Sequence, residues 1–178
     1  MTAAGPQWVD GTQIHSFPPV DAPDARVLIL GSMPGVASLR LQQYYGHPRN
    51  AFWPIVGAIA GFDPALPYAE RIAALRRARI ALWDVLAACV RPGSLDAAID
   101  PTSVLPNDIG GWLARHRQVE RILFNGATSE QMFQRHVLPT LAAGACPALH
   151  RLPSTSPAHA GRSLADKQAV WAEALRLA

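Results

Sequence analysis

The sequence predicts an α/β fold, a three-layer sandwich around a central, mostly parallel sheet of four strands. Short aliphatic runs alternate along the chain with segments whose apolar residues recur at helical spacing. The aliphatic runs lack polar alternation, which is typical of parallel strands buried on both faces. Each run also ends in a turn-rich segment, as in doubly wound α/β proteins.

The first half of the chain supplies two of the four strands. In order, its predicted elements are an irregular, Pro/Gly-rich segment 1–25, a strand 26–31, a turn 32–35, helices 52–60 and 68–78, and a strand 80–82. The strand 26–31 is β-branched and aliphatic and ends in glycine, as expected for a buried parallel strand. The strand 80–82 leads directly into Trp83 and Asp84.

The second half repeats the alternation of strands and helices. In order, its predicted elements are a loop 91–100, a helix ending at 116, a strand 119–124, a helix 127–137, a strand 148–152, a loop 153–161 and a helix 163–177. Asn107 or Asp108 is suited to cap the first of these helices, and Ser163 to cap the last. The sequence shows no internal repeat, and we expect residues 1–178 to form a single domain.

A ligand of such a sheet binds beyond the carboxyl ends of the strands. Four segments are predicted to gather there, namely 31–35, 84–95, 125–126 and 153–161. Residues 31–35 contain neither GxGxxG nor a Walker lysine, so they form either a structural turn or a ligand loop. The rigid loop 153–161 is either a contact to a phosphate backbone or a plain Pro-rich connection. Asp84 and Asp96 are the obvious acids there, and Asp84 is interpreted as structural rather than catalytic.

The overall charge weakly favours a polyanionic partner, with a net charge of +3 and a pI of about 9.3. Lys167 is the sole lysine and is predicted to lie on a surface helix, away from the site. Cys89 and Cys146 form no CxxC motif, so we expect small buried thiols and a reducing cytoplasm. No apolar run reaches the roughly 18 residues of a membrane span, so no membrane partner is expected. We expect no cofactor and no metal.

The densest functional signal is the decapeptide Tyr44-Tyr45-Gly46-His47-Pro48-Arg49-Asn50-Ala51-Phe52-Trp53. It contains four aromatic rings, whereas the whole chain is 7% aromatic. A turn of this composition offers a flat ring for stacking and an amide for hydrogen bonding. A site for a nucleobase needs both.

Taken together, the motifs resemble the uracil-DNA glycosylase superfamily, and within it the DNA-deoxyinosine (hypoxanthine-DNA) glycosylase branch. The resemblance rests on ordered segments between about residues 15 and 178: GSMPG at 31–35, the decapeptide, LWDVL at 82–86, GSLD at 93–96, PNDI at 106–109, FNG at 124–126 and 152–158. It implies a monofunctional glycosylase that cuts the N-glycosidic bond of a deaminated base. It also implies that the partner is DNA, and we expect a monomer associated with the nucleoid.

The resemblance also implies roles for individual residues. Several relatives carry Asn, Asp or Glu where this chain has Met33, so the polar role moves to the catalytic candidate Asn50. Tyr45 falls where mismatch-specific relatives carry the aromatic that stacks on the base. The base-binding candidates are Ser32, Met33, Pro34, Gly35, Tyr45 and Asn125. The DNA-binding candidates are Arg49, Arg91, Ser154, Thr155, Ser156, Pro157, His159 and Arg162, and the loop 153–161 would clamp phosphates or fill the space left by the flipped base.

Several alternatives stay open at this stage. Arg49 and Arg91 either contact phosphates or form buried ion pairs, for which Asp84 is a candidate partner. The ranking of hypoxanthine, xanthine and uracil, the preference for single or double strands, and the residue that fills the stack after base flipping are undetermined. The rival functions are a uracil or mismatch glycosylase, a non-catalytic nucleic-acid-binding module and a small-nucleotide hydrolase. The hydrolase is disfavoured because the sequence offers no acidic metal cluster. The lone lysine predicts that the enzyme has no lyase activity.

Overall fold

The computed structural model describes residues 12–176 and contains seven strands and six α-helices. The strands are β1 (Gln13–His15), β2 (Val27–Gly31), β3 (Ile80–Asp84), β4 (Leu86–Val90), β5 (Leu105–Pro106), β6 (Arg121–Asn125) and β7 (Ala148–Leu152). The helices are α1 (Val36–Leu41), α2 (Phe52–Ala60), α3 (Tyr68–Arg77), α4 (Ile109–Arg115), α5 (Ala127–His136) and α6 (Leu164–Ala174). Short 3-10 turns cover Asp96–Ala98, Pro101–Ser103 and Leu138–Thr140.

The central sheet contains the four predicted strands in the order β3-β2-β6-β7, and every neighbouring pair is parallel. All residues of β2 and β3 are buried, so both faces of the sheet are covered there. The predicted α/β architecture with a parallel four-stranded sheet is therefore confirmed. The register pairs Gly31 with Asp84 and Asn125 with Leu152, which brings the carboxyl ends of the strands to one level.

A second, antiparallel sheet with the order β1-β4-β5 was not predicted. It corrects the expectation that residues 1–25 are irregular, because Gln13–His15 is a strand and Val20 pairs with Leu82. Residues 1–11 lie outside the described part of the chain. The strand β1 covers only three residues, too few for a periodic signal, and becomes ordered by pairing with the distant β4.

The helices begin and end close to the predicted positions. Asp108 caps α4 by accepting a hydrogen bond from the Gly111 amide, and Ser163 caps α6 by accepting one from the Asp166 amide. The helix α1 was not predicted, because it has six residues and no capping side chain. No helix within residues 12–176 combines the length and apolar character needed to cross a membrane.

Aromatic packing joins the decapeptide to the C-terminal helix. Phe52 and Trp53 are buried at the start of α2, and Phe52 packs edge-on against Trp171 of α6 with ring centroids 6.1 Å apart. Trp53 Nε1 donates to the carbonyl of Tyr44, whose own hydroxyl donates to Pro18. Tyr44, Phe52 and Trp53 therefore belong to the core, and they hold the turn between them in one position.

Candidate active site

A cavity of about 730 Å³ opens beyond the carboxyl ends of β2, β3, β6 and β7. That volume suits a small-molecule or nucleotide-sized ligand. Its lining includes residues from all four predicted strand-end segments and from the decapeptide. Of the sequence-predicted site residues, those that line it are Ser32, Met33, Pro34, Gly35, Tyr45, Asn50, Asn125, Ser154, Thr155, Ser156, Pro157, His159 and Arg162.

The cavity contains a close approach between three residues from β2, β3 and the decapeptide. A methyl group on Gly31 would lie 2.5 Å from Asp84 Oδ1 and 3.0 Å from Tyr45 Oη. Glycine at this strand end is therefore required by space. The absent side chain lets a carboxyl and a phenol lie side by side at the edge of the sheet.

Asp84 is a buried carboxyl that faces this cavity, with 4% of its surface exposed. Its Oδ2 and the hydroxyl of Tyr45 have no hydrogen-bond partner among residues 12–176. Burial and the neighbouring Asp96 raise the pKa of Asp84 to about 7, while Arg91 opposes that rise. Burial and Asp84 also raise the pKa of Tyr45, so the phenol stays neutral. Unsatisfied buried polar atoms of this kind are suited to hydrogen bonds with a ligand.

Asp96 connects the first turn of the cavity to the segment after β4. Both of its carboxyl oxygens accept from Ser32 Oγ, at 2.9 and 3.0 Å. Burial raises the pKa of Asp96, and the Ser32 hydrogen bond acts in the opposite direction. The hydroxyl of Ser32 is thus directed at a carboxylate, and the wall that Ser32 offers to a ligand is mostly backbone.

Arg91 holds the same two segments together from inside the protein. It is 4% exposed, its Nη2 donates to the Pro34 carbonyl at 2.6 Å, and its Nε donates to the Gly93 carbonyl at 2.9 Å. This burial does not fit the predicted phosphate contact. The alternative ion pair with Asp84 is not formed either: two of the guanidinium nitrogens donate to backbone carbonyls, and Nη1 is buried without a partner among residues 12–176. Arg91 is therefore a positioning residue, a role that its charge alone did not reveal.

Tyr45 presents its ring to the cavity from an unusual backbone conformation. Its φ is 53°, in the left-handed region that non-glycine residues rarely adopt. One face stacks on Phe52, with ring centroids 4.1 Å apart and planes inclined by 22°. Because the core fixes Phe52, the Tyr45 ring is fixed as well. A flat ring held in this way is suited to stacking against a planar ligand.

Asn50 also lines the cavity, at the start of α2. Its Oδ1 accepts from the Phe52 amide at 2.9 Å, so the carbonyl end of the side chain is held by the first residue of the helix. That contact identifies which side-chain atom is oxygen and leaves the Nδ2 group free of protein acceptors among the described residues. Asn50 therefore offers N–H donors to the cavity, and Oδ1 keeps one further lone pair.

Asn125 forms a reciprocal pair with Thr155 across the end of the sheet. The Asn125 amide donates to Thr155 Oγ1, and its Oδ1 accepts from the Thr155 backbone amide, both at 2.9 Å. Thr155 is 1% exposed. The side chain predicted to read a base edge thus holds the loop 153–161 in place. Its other N–H lies toward the Tyr45 hydroxyl, which lowers the pKa of that phenol against the effect of burial.

Three further contacts fix this loop. The Thr155 carbonyl accepts from the Ala51 amide, and the Pro153 carbonyl accepts from Trp171 Nε1. Lys167 Nζ donates to the His159 carbonyl at 2.6 Å. Lys167 is 6% exposed, which corrects the expectation of a surface lysine far from the site. It lies beneath the rim of the cavity, but it does not line the cavity itself.

The exposed cations surround the opening on two sides. Arg162 and His159 are exposed and line the cavity, while Arg49 is exposed on the decapeptide outside it. Arg49 forms no ion pair within residues 12–176, and its backbone amide donates to His47 Nδ1. The exposed position does not fit the alternative of a buried ion pair, and the contact of Arg49 with a phosphate stays a prediction.

Sequence reasoning missed the polar residues at the base of the site. Asp84 was interpreted as structural, and Asp96 received no role. The available signal was the register of a parallel sheet, since Asp84 ends the strand that neighbours Gly31. Within residues 12–176 no group of three or more His, Cys, Asp or Glu side chains is arranged to hold a metal ion.

Comparison with known proteins shows which family the chain is similar to. The family model of the Uracil DNA glycosylase superfamily matches residues 18–176. The chain is 37% identical over 163 residues to a hypoxanthine DNA glycosylase of Methanosarcina barkeri, spanning 91% of this chain and 98% of that protein. It is 39% identical over 113 residues to a hypoxanthine DNA glycosylase of Methanosarcina acetivorans, spanning 63% and 70% of the two chains.

A solved structure supports the same relationship. The fold is similar to the solution NMR structure of a candidate uracil DNA glycosylase from Methanosarcina acetivorans, with a TM-score of 0.72 and 32% sequence identity. The superposition covers 91% of this chain and 98% of that one.

Proposed function

This chain belongs to the uracil DNA glycosylase superfamily, and we propose that it removes deaminated bases from DNA, with hypoxanthine as its principal substrate. In that reaction the bond between C1′ and the base breaks, the base leaves with the bonding electrons and takes up a proton, and a water oxygen bonds to C1′ and releases a proton. The observation that carries the proposal is the cavity, where the fixed ring of Tyr45 and the free amide of Asn50 meet at the strand ends.

Each part of the cavity suits one requirement of the reaction. A base inside a duplex must be flipped out, and Tyr45 would stack on it, a contact worth ~1–3 kcal/mol. The transition state places positive charge on the sugar and negative charge on the base. Preorganised donors directed at the base stabilise that charge. Asn50 Nδ2 would supply such a donor or orient the water, since an amide is a poor proton acceptor.

The base edge itself would meet Asp84 and the remaining N–H of Asn125. Hypoxanthine presents an N–H beside a carbonyl, and flipped bases are read through hydrogen bonds to that edge. Asp84 lines the cavity and its carboxyl accepts no hydrogen bond from residues 12–176 at the buried Oδ2, so the carboxyl suits this pairing. Uracil presents the same N–H and carbonyl pair, so uracil is the second candidate substrate. The opening would hold phosphates through Arg49, Arg162 and the hydroxyls of Ser154 and Ser156.

We also propose that the enzyme is monofunctional, without lyase activity, and that it acts as a monomer. Lys167 is buried beneath the rim and does not line the cavity, so its amine lacks access to C1′. Both cysteines are free thiols, which fits a reducing compartment and DNA at the nucleoid as the target.

The test compares oligonucleotides that carry inosine, uracil or xanthine under single-turnover conditions. Wild type should excise inosine fastest, and Asn50→Ala should lose about 10²- to 10³-fold in rate. The matched variant Asn50→Asp keeps an acceptor for the Phe52 amide but loses the Nδ2 donor. It should therefore fold like wild type and still lose activity.

The outcomes separate the parts of the proposal. If wild type excises none of the three bases, the enzyme is not a glycosylase of deaminated bases, and a binding module on the same fold becomes the better interpretation. If both Asn50 variants keep the wild-type rate, the role assigned to Asn50 is wrong. Faster excision of uracil than of inosine would reverse the order of the substrates.

A further inference from the structure

One large apolar side chain at the rim of the cavity has no packing role. Leu95 is 60% exposed and lines the cavity, although its neighbour Asp96 points inward to Ser32. The whole stretch 92–95 is exposed, and Gly93 turns the chain with a φ of 68°. The loop 92–95 therefore projects from the protein and carries a leucine beside the opening.

The loop that carries Leu95 is braced at both ends. Arg91 Nε donates to the Gly93 carbonyl, Ser94 Oγ accepts from the Val36 amide at 2.9 Å, and Asp96 accepts from Ser32. A one-turn 3-10 helix follows, in which the Leu95 carbonyl accepts from the Ala98 amide. Within residues 12–176 the other exposed large apolar side chains, Leu41, Leu105, Leu138 and Leu164, lie away from the cavity. Leu95 is distinguished by its position, because a molecule bound at the opening would cover it.

The opposite rim offers no comparable side chain. The loop 153–161 contains only proline, serine, threonine, alanine, histidine and glycine, and its threonine is buried against Asn125. Its exposed hydroxyls and His159 suit a phosphate backbone. The two rims therefore differ in chemistry, since one is polar and the other presents a leucine.

We propose that Leu95 is the wedge that enters the base stack and fills the space left by the flipped nucleotide. This inference rests on the proposed glycosylase function, because a flipped base is what leaves a gap. Apolar side chains inserted between base steps unstack a duplex and stabilise its distorted form. A leucine that buries its surface in the stack also recovers the free energy lost by exposing it in the unbound protein.

A wedge at Leu95 should matter for duplex DNA and not for single-stranded DNA. A single strand has no partner strand and little stacking to replace, so its target base reaches the cavity without a wedge. In a duplex the gap must be filled for as long as the base stays extrahelical. Loss of the wedge should therefore slow excision from duplex DNA and leave excision from single strands almost unchanged.

The experiment measures single-turnover excision of inosine from the same oligonucleotide as a single strand and as a duplex. Leu95→Ala should lower the duplex rate by about tenfold or more and the single-strand rate by less than about twofold. Leu95→Met retains a long apolar side chain and should restore most of the duplex rate. Leu105→Ala is the matched control, because Leu105 is also exposed, at 52%, but lies on β5 and does not line the cavity.

A second readout follows flipping directly. With 2-aminopurine beside inosine in the duplex, wild type and Leu105→Ala should raise its fluorescence on binding, and Leu95→Ala should raise it less. Equal loss on both substrates, or no loss on the duplex, would overturn the wedge assignment. Excision by wild type from single strands alone would also overturn the wedge assignment. If wild type excises inosine from the duplex only, there is no single-strand rate for comparison. The 2-aminopurine fluorescence then decides whether Leu95 is the wedge. If wild type excises inosine from neither form, it is the proposed hypoxanthine activity that fails.

Discussion

The hydroxyl of Tyr45 and the carboxyl of Asp84 meet at Gly31, where a methyl group would lie 3.0 Å from Tyr45 Oη and 2.5 Å from Asp84 Oδ1. Neither the hydroxyl nor Asp84 Oδ2 has a hydrogen-bond partner among residues 12–176. Two buried polar groups are thus held together without being satisfied, and the glycine between them makes that possible. Such an arrangement costs stability and is expected where a ligand completes the hydrogen bonds.

Gly31→Ala tests whether this close approach is required. The new methyl group would collide with Asp84, and neither β2 nor β3 has room to shift, so we expect a loss of about 1–3 kcal/mol in the free energy of unfolding. The rate of excision should also fall, and by more than the loss of folded protein explains, because Asp84 and Tyr45 would both move. Gly161→Ala is the control, because a methyl group there meets nothing within 4 Å. Chemical denaturation of the two variants measures the difference, and equal stabilities would show that the approach is not tight.

Excision should depend on the protonation of Asp84. Burial and Asp96 raise its pKa to about 7, so below that pH it is a neutral acid that can donate to the departing base. Above that pH its negative charge would repel the negative charge that develops on the base. The single-turnover rate should therefore fall as pH rises through about 7, and Asp84→Asn should remove most of that fall. If Asp84→Asn shows the same decline of the rate with pH, another group causes the decline. Asp96→Asn would then be the next variant to test.

The same carboxyl should make stability depend on pH in a defined direction. Because the folded state holds the Asp84 proton up to about pH 7 and the unfolded chain releases it near its ordinary pKa of 3.8, the folded state binds more protons in between. The free energy of unfolding should therefore fall as pH rises from about 4 to about 7 and level off above. Urea denaturation at several pH values should show a shallower fall for Asp84→Asn than for wild type. A steeper fall in the variant would contradict the sign.

The sequence alone predicted the helices and strands that are long or strongly patterned. It did not predict those that form only by pairing with a distant part of the chain. The run 26–31 was a strand because its residues are aliphatic, and Ser163 and Asp108 cap helices because their side chains accept from the backbone. The strands β1 and β5 have three and two residues and become ordered only against β4. No local pattern encodes that pairing.

The site shows the same division. The decapeptide stood out by composition, the family resemblance pointed to Tyr45 and Asn50 within it, and both line the cavity. Lys167 was expected at the surface and Arg91 at a phosphate or in an ion pair, but both side chains are buried and donate to backbone carbonyls. A buried cation is rare without such partners, and the sequence does not show which carbonyls will surround it. Asp84 was underrated for a related reason. Whether a strand-end carboxyl is satisfied or left unpartnered depends on the neighbouring strand and loop, which the sequence does not place.

Thr155→Val tests the reciprocal pair between Thr155 and Asn125. Valine keeps the shape of the side chain but removes the buried Oγ1, which leaves the half-buried Asn125 amide without that acceptor. We expect a loss of about 1–3 kcal/mol in the free energy of unfolding. Affinity for duplex DNA should fall as well, because the loop 153–161 loses one of its anchors. Thr155→Ser keeps the hydroxyl and should stay closer to wild type in both measurements. If the two variants have equal effects, loss of the hydrogen bond is not the cause.

Lys167 provides the test of a purely hydrolytic mechanism. Burial lowers the pKa of its amine, which by itself would favour attack on a sugar aldehyde. Access decides against it, because Nζ donates to the His159 carbonyl beneath the rim and the side chain does not line the cavity. Wild type incubated with an inosine duplex and borohydride should therefore give no protein–DNA adduct, and the product strand should stay intact until heated in alkali. An adduct that disappears in Lys167→Met would show that the rim opens far enough for the amine to reach C1′, and the enzyme would then be bifunctional.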